Sequence, residues 1–445
     1  MVDRDQLLRV GMSPAQAAAK SAMLKQCDAA LDTLGAQHAH RYSVWVPGRI
    51  EVLGKHTDYA GGRSLLATVE RGFAVRVAMR SDARIRAVDV SGTHFCETAL
   101  DIHATCPTGH WSNYVATVAR RLARNFASAR RGVDLAFASD LPIAAGMSSS
   151  SALMIAVFVA LAKSNDLRSS EEFRRAIFSR EELASYLGAV ENGESFRSLE
   201  GDAGVGTFGG SQDHTAIMCG KAGSIVQYSF GPIRREAAYE LPATHVFVVA
   251  ACGVLAEKTA SARDGYNRAA LMVRHLLASW NVRTGRTDAT LADAVRSSAN
   301  APEELRRTAQ ASPTPDYSAE ALGHRLEQFL LESFELIPQA AAILARGALT
   351  ELGPVVDRSQ RASELWLGNQ IPETITLARM ARELGATAAS AFGAGFGGSV
   401  WALVPQSGAT DFEAAWAKEY RATFPEAGAR AAFFVSPPGP GAHQW

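Results

Sequence analysis

Between Val133 and Ala162 the sequence passes from a short alternating strand, Val133–Ala138, through a loop with Gly146, to four consecutive serines, Ser148–Ser151. It then enters the apolar run Ala152–Ala162. That order constrains the fold more than any other feature: a strand must lead through a tight loop into a helix that is apolar enough to be buried. Glycine and serines at a helix N-terminus offer free backbone N–H groups, hydroxyl donors and the positive end of the helix dipole. One serine would serve as an N-cap, but four exceed what capping needs, so the segment predicts a polyphosphate cradle. At 11 residues the apolar run falls short of the roughly 20 needed to cross a bilayer, and no span is predicted.

Composition narrows the partners. In 445 residues, 45 Lys+Arg balance 45 Asp+Glu and 47% are hydrophobic, which excludes wholesale disorder and leads us to expect two domains. A net charge of zero gives no electrostatic footprint for nucleic acid or an anionic membrane, so any bound anion must be held locally. Five scattered cysteines without a Cys-x-x-Cys pair fit a reducing cytoplasm, and Asp3, Arg4, Asp5 and Arg9 do not read as a secretory signal. The spacing predicts strands at Tyr42–Val46, Val69–Met79, Ile85–Val90, Phe95–Leu100 and His245–Ala251, and helices over Trp111–Phe126 and Ser261–Ala278. Residues 300–317 read as a polar, Pro-containing loop, and the last ten residues as an extended tail.

Two further segments carry chemistry. Gly393-Ala-Gly-Phe-Gly-Gly398 matches a dinucleotide fingerprint by letter, but the following Ser399–Val404 reads as a strand where that fingerprint needs a helix. What remains is a glycine-rich loop suited to close backbone approach. Pro47 to Gly62 gathers Arg49, Lys55, His56 and Asp58 beside glycines, and such clusters are more often sites than cores.

These segments, in this order, resemble the GHMP kinases. Gly48-Arg-Ile-Glu-Val-Leu-Gly-Lys-His-Thr-Asp-Tyr59 resembles the galactokinase signature Gly-Arg-Val-Asn-Leu-Ile-Gly-Glu-His-Thr-Asp-Tyr. Gly146-Met-Ser-Ser-Ser150, Trp111-Ser-Asn-Tyr-Val115, Gly210-Ser-Gln-Asp-His214 and the 393–398 loop resemble the family's other motifs. The resemblance implies a two-domain α+β fold, residues 1–235 like ribosomal protein S5 domain 2 and residues 236–445 ferredoxin-like. It also implies ATP-dependent, magnesium-assisted phosphoryl transfer to the anomeric hydroxyl of a sugar. On this reading Gly146, Met147, Ser148, Ser149 and Ser150 hold the phosphates, Trp111 stacks near adenine, and Ser150 with Glu191 holds magnesium. Asp213 and Arg49 take the catalytic positions, with Asp213 either a general base or an orienting group. His56, Asp58, Gly210 and Tyr266 fall where the family meets its sugar. The partners implied are ATP and a small sugar; the oligomeric state, monomer or homodimer, stays open.

Lys55 departs from the family's glutamate, replacing an acceptor carboxylate by an ammonium. Either it meets a substrate carboxylate, as in a hexuronic acid such as galacturonate, or it turns to solvent or to Glu51 and galactose remains the substrate. A reading from another class is a silent ATP and sugar sensor, against which the intact phosphate loop, Arg49 and Asp213 weigh.

Overall fold

The computed structural model describes all residues except Met1, Thr108, Gly109, Ala144 and 255–259; the side chains of Val2, residues 260–264 and Tyr266 also lie outside the description. Twelve strands form two sheets among the described residues. They are β1 (Arg41–Leu53), β2 (Arg63–Met79), β3 (Arg84–Asp89), β4 (Phe95–Ala99), β5 (Val133–Ser139), β6 (Ser224–Ser229) and β7 (Arg234–Glu240), then β8 (His245–Ala251), β9 (Ala388–Phe392), β10 (Ser399–Pro405), β11 (Ala432–Ser436) and β12 (His443–Gln444).

The first sheet runs β12-β1-β2-β5-β3-β4, with β6 and β7 continuing from the far end of β2. Alternation sorts its residues to two faces. Val75 and Val77 of β2 and Leu135 and Phe137 of β5 join a large core under the helices Ser112–Asn125, Ser149–Ser164 and Arg180–Asn192. Ala78, Ala136 and Ala138 instead meet Cys27 and Leu31 of the helix Pro14–Thr33. The Ala152–Ala162 run is buried on nearly every side, as an apolar helix without a polar face must be. No helix among the described residues is long and apolar enough to cross a membrane.

The second sheet, β11-β8-β10-β9, is wholly antiparallel. Val246, Val248, Val400 and Ala402 pack under the helices Pro372–Glu383 and Ala409–Thr423. Their neighbours Phe247, Val249, Trp401 and Leu403 face the other way and enter the first sheet's core. The two halves therefore share one hydrophobic interior, and the indole N–H of Trp401 donates to the Glu51 carbonyl at 3.1 Å.

Three expectations change. The strand read as ending before Pro47–Gly48 continues to Leu53, because register shifts between Pro47/Arg49 and Glu51/Leu53 absorb the proline. Residues 300–317 are not one loop: Ala301–Ala311 is a helix that starts at a proline in its first turn and buries Ala301, Leu305 and Ala309. The C-terminal residues are docked, since Val44 and Trp45 of β1 pair with Gln444 and His443. Apart from β12, the strands of the first sheet lie between Arg41 and Glu240.

Candidate active site

The site begins on β1. Ile50 and Val52 point into the core, so Arg49 and Glu51, one step out of phase, face a cavity of about 580 Å³ between the halves. Arg49 is almost wholly buried and spends its donors on two partners: Nε on Asp213 Oδ1 at 2.8 Å and Nη1 on the Gly146 carbonyl at 2.6 Å. It thus ties the helix Gln212–Cys219 to the serine loop. Burial, the largest single effect, would raise the Asp213 carboxyl, but the Arg49 charge and the hydrogen bonds of Ser148 and Arg49 together outweigh it and hold the group below the usual carboxylate value.

The serine loop is held open by strained backbone. Gly146 has φ +67° and Ser148, at the N-cap of the helix Ser149–Ser164, has φ +62°, a conformation costly for a residue with a side chain. The Ser148 hydroxyl is buried beside the Asp213 carboxyl and helps to hold it charged. The 393–398 loop backs it: a Cβ on Gly393 would lie 2.6 Å from the Gly146 carbonyl, and Ser399 donates to the Ala145 carbonyl at 2.6 Å. Close approach at Gly393 and Gly395, and positive φ at Gly393, Gly395, Gly397 and Gly398, account for these glycines. Ser148, Ser149, Ser150 and Ser151 all line the cavity, whereas Met147 is buried beside the core.

Beyond the serines stands Glu191. Ser151, the residue after the Ser150 named for magnesium, donates its hydroxyl to Glu191 Oε2 at 2.8 Å. His214 Nε2 lies 3.1 Å from the same oxygen. A carboxylate beside a hydroxyl, under a polyphosphate cradle, fits a hard divalent cation that takes its other ligands from phosphate and water.

The opposite wall comes from residues 54–62. His56, at φ +55°, contacts Tyr59 Oη at 2.9 Å and the Ala394 carbonyl at 3.3 Å; burial, and then the Arg325 charge, push its imidazole down to about 4 and keep it neutral. Asp58 accepts from the Gln212 backbone N–H at 2.9 Å, and burial raises its carboxyl. Gly210 is required here, since a Cβ would fall 2.0 Å from Asp58 Oδ2. The expected Tyr266 contact lies outside the described side chains.

Lys55 does not face the cavity. It is buried with its ammonium on Ser359 Oγ at 3.0 Å and Ser390 Oγ at 2.8 Å. Neither the substrate carboxylate nor the solvent or Glu51 alternatives describes it. The turn is aimed by Glu332, whose Oε1 accepts from the Gly54 and Lys55 N–H groups and the Ser359 hydroxyl. At the far end Trp111 lines the cavity with Phe73, Tyr114 and Phe137; its ring lies 5.7 Å from Phe137, and its N–H is buried without a partner among the described residues. An aromatic wall of this kind suits a planar base. Sequence reasoning missed Ser151, His214, Glu332 and the cavity-facing side chain of Glu51; only the alternation along β1 carried a signal for the last.

The chain matches the model of the GHMP kinases N terminal domain over residues 113–221 and of the GHMP kinases C terminal domain over 340–422. The galactokinase galactose-binding signature matches residues 34–79. A galactokinase of Glaesserella parasuis serovar 5 (strain SH0165) is 34% identical over 124 residues, 27% of this chain and 31% of that protein. One of Actinobacillus pleuropneumoniae serotype 5b (strain L20) is 34% identical over 118 residues, 26% of this chain and 30% of its own length. The aligned stretches thus span about a third of these curated relatives. The crystal structure of Lactococcus lactis galactokinase complexed with galactose superimposes with a TM-score of 0.74 at 24% identity, covering 93% of this chain and 99% of that one. This likeness shows the fold.

Proposed function

Because the chain belongs to the GHMP kinases and carries the galactose-binding signature of their galactokinase branch, we propose that it is an ATP-dependent sugar 1-kinase. It transfers the γ-phosphoryl group to the anomeric hydroxyl of a neutral hexose, with galactose the first candidate. The observation that carries this reading is the Arg49–Asp213 pair, set in one cavity between the serine loop and the Asp58–His56 wall.

Phosphoryl transfer asks the protein mainly for positioning and charge stabilisation. The N–H groups of the serine loop and the hydroxyls of Ser149 and Ser150 receive the β- and γ-phosphates, and the base lies toward Trp111. Ser151 and Glu191 would hold magnesium, which would neutralise charge on the phosphate oxygens. Asp213 accepts the hydrogen bond of the attacking hydroxyl. Its lowered carboxyl suits an orienting and electrostatic role better than that of a general base, whose pKa works best near the operating pH. Neutral His56 and Asp58 offer partners for ring hydroxyls.

The uronic acid alternative rested on an ammonium facing the sugar, and the buried contacts of Lys55 with Ser359 and Ser390 remove that support. A panel of hexoses, uronic acids and N-acetylhexosamines, scored for sugar-dependent ADP release, tests the reading. Turnover of a neutral hexose is expected; ADP release indifferent to sugar would overturn it, and sugar binding without turnover would favour a sensor.

A further inference from the structure

We propose that Glu51 is a specificity-determining residue of the acceptor site: its carboxyl group grips a hydroxyl of a neutral sugar and excludes sugars that carry a carboxylate. The inference rests on the sugar kinase reading above and names a determinant that the sequence did not single out.

The geometry carries it. Glu51 sits two residues along β1 from Arg49, on the same face of the strand, and lines the same cavity. It is 2% exposed, and its Oε1 is buried with no hydrogen-bond partner among the described residues. A buried polar atom without a partner is costly, and sites keep such atoms where a ligand satisfies them. The neighbouring cations are already engaged, while the Glu332 carboxyl, partnered through Oε1 only, has its Oε2 buried without a partner among the described residues. Arg49 is committed to Asp213 and the Gly146 carbonyl, Lys55 to Ser359 and Ser390, and Glu332 Oε1 to the Gly54–Lys55 turn. Among the described residues Glu51 therefore makes no ion pair, although the Arg49 and Lys55 charges reach it.

Its protonation agrees with this placement. Burial pushes the carboxyl up to about 8, with Glu332 and Asp213 adding to the rise and Arg49 and Lys55 opposing it. Near neutral pH the group is largely a carboxylic acid, able to donate through its O–H and accept through its carbonyl oxygen. That suits a hydroxyl, which does both. A substrate carboxylate would offer no donor to the Glu51 carbonyl oxygen and would share the cavity with Asp58 and Asp213, the nearest ammonium being turned away. A site built around a hydrogen bond to a hydroxyl discriminates strongly against analogues that lack it.

The test compares wild type, Glu51→Gln and Glu51→Ala on the best neutral hexose, on each of its monodeoxy forms and on the matching uronate, with the KM for ATP measured alongside. Glu51→Ala is expected to lower kcat/KM for the full sugar by about 10- to 100-fold, leaving the KM for ATP within about twofold. For one deoxy form, wild type and Glu51→Ala should agree within about threefold, because the hydroxyl that Glu51 grips is already missing. Glu51→Gln, which keeps a donor and an acceptor, should restore most of the activity. Equal losses on every deoxy form would reduce Glu51 to a packing role, and wild-type preference for the uronate would also overturn the inference. A wild type that phosphorylates no sugar defeats the kinase reading itself; an active wild type with an unaffected Glu51→Ala defeats only the inference.

Discussion

The Nε of Arg49 meets Oδ1 of Asp213 at 2.8 Å across 164 residues of chain, and the same guanidinium holds the Gly146 carbonyl of the serine loop. One cation thereby fixes the acceptor side of the cavity relative to its phosphate side. That coupling is what a transfer reaction needs, because misplacing the reacting atoms by about 1 Å can cost on the order of 100-fold in rate.

Replacing Asp213 by Asn keeps the shape and removes the charge. Sugar-dependent ADP release should fall on the order of 10²- to 10⁴-fold, while ATP affinity, measured by calorimetry, stays within about threefold. Near-native turnover in this variant would remove Asp213 from the mechanism.

Ser151 and Ser150 differ by one step of helix and hence by about 100° of rotation. Since it is Ser151 that donates to Glu191 at 2.8 Å, Ser151→Ala should raise the magnesium concentration needed for half-maximal activity by about 10-fold, at the lower end of the effect of disturbing a metal site's supporting bonds. Ser150→Ala should raise it less. The reverse order would restore the assignment read from the motif.

Lys55→Met removes an ammonium that satisfies two buried hydroxyls, Ser359 and Ser390. Unfolding should become easier by about 1–3 kcal/mol, seen as a lower denaturation midpoint. The ratio of galactose to galacturonate turnover should stay within about threefold of wild type. A large change in that ratio with unchanged stability would put Lys55 back in the substrate site.

The two faces of the first sheet, the buried helix and the 49–58 cluster were legible because strand and helix periods write themselves into the pattern of apolar residues. Other features depended on partners far away in the chain. The direction of Lys55 follows from Gly54, at φ +114°, and from Glu332, 278 residues beyond Gly54. Which of four serines faces Glu191 is a question of helix rotation, and four identical letters cannot encode it. The helix at Ala301–Ala311 was masked by its polar exposed face and nearby prolines, although Ala301, Leu305 and Ala309 already stand at helical spacing.

The buried acid at Glu51 also has a consequence for stability. Its carboxyl is raised from the ordinary 4.5 to about 8, so the folded chain holds a proton that the unfolded chain has lost within that window. The stability contributed by the protonated form is complete below about 4.5 and is lost as pH rises through about 8. The midpoint of wild type should therefore fall relative to Glu51→Gln between these values and then run parallel above them. A constant difference across the window would contradict a buried, protonated Glu51.

The central claim is most directly tested by following purified wild-type protein with ATP, magnesium and galactose by phosphorus NMR. One equivalent of ADP should appear for each equivalent of galactose 1-phosphate, and neither should form without sugar. ADP formed at the same rate with and without sugar, or a phosphorylated product bearing its phosphate on another hydroxyl, would contradict it.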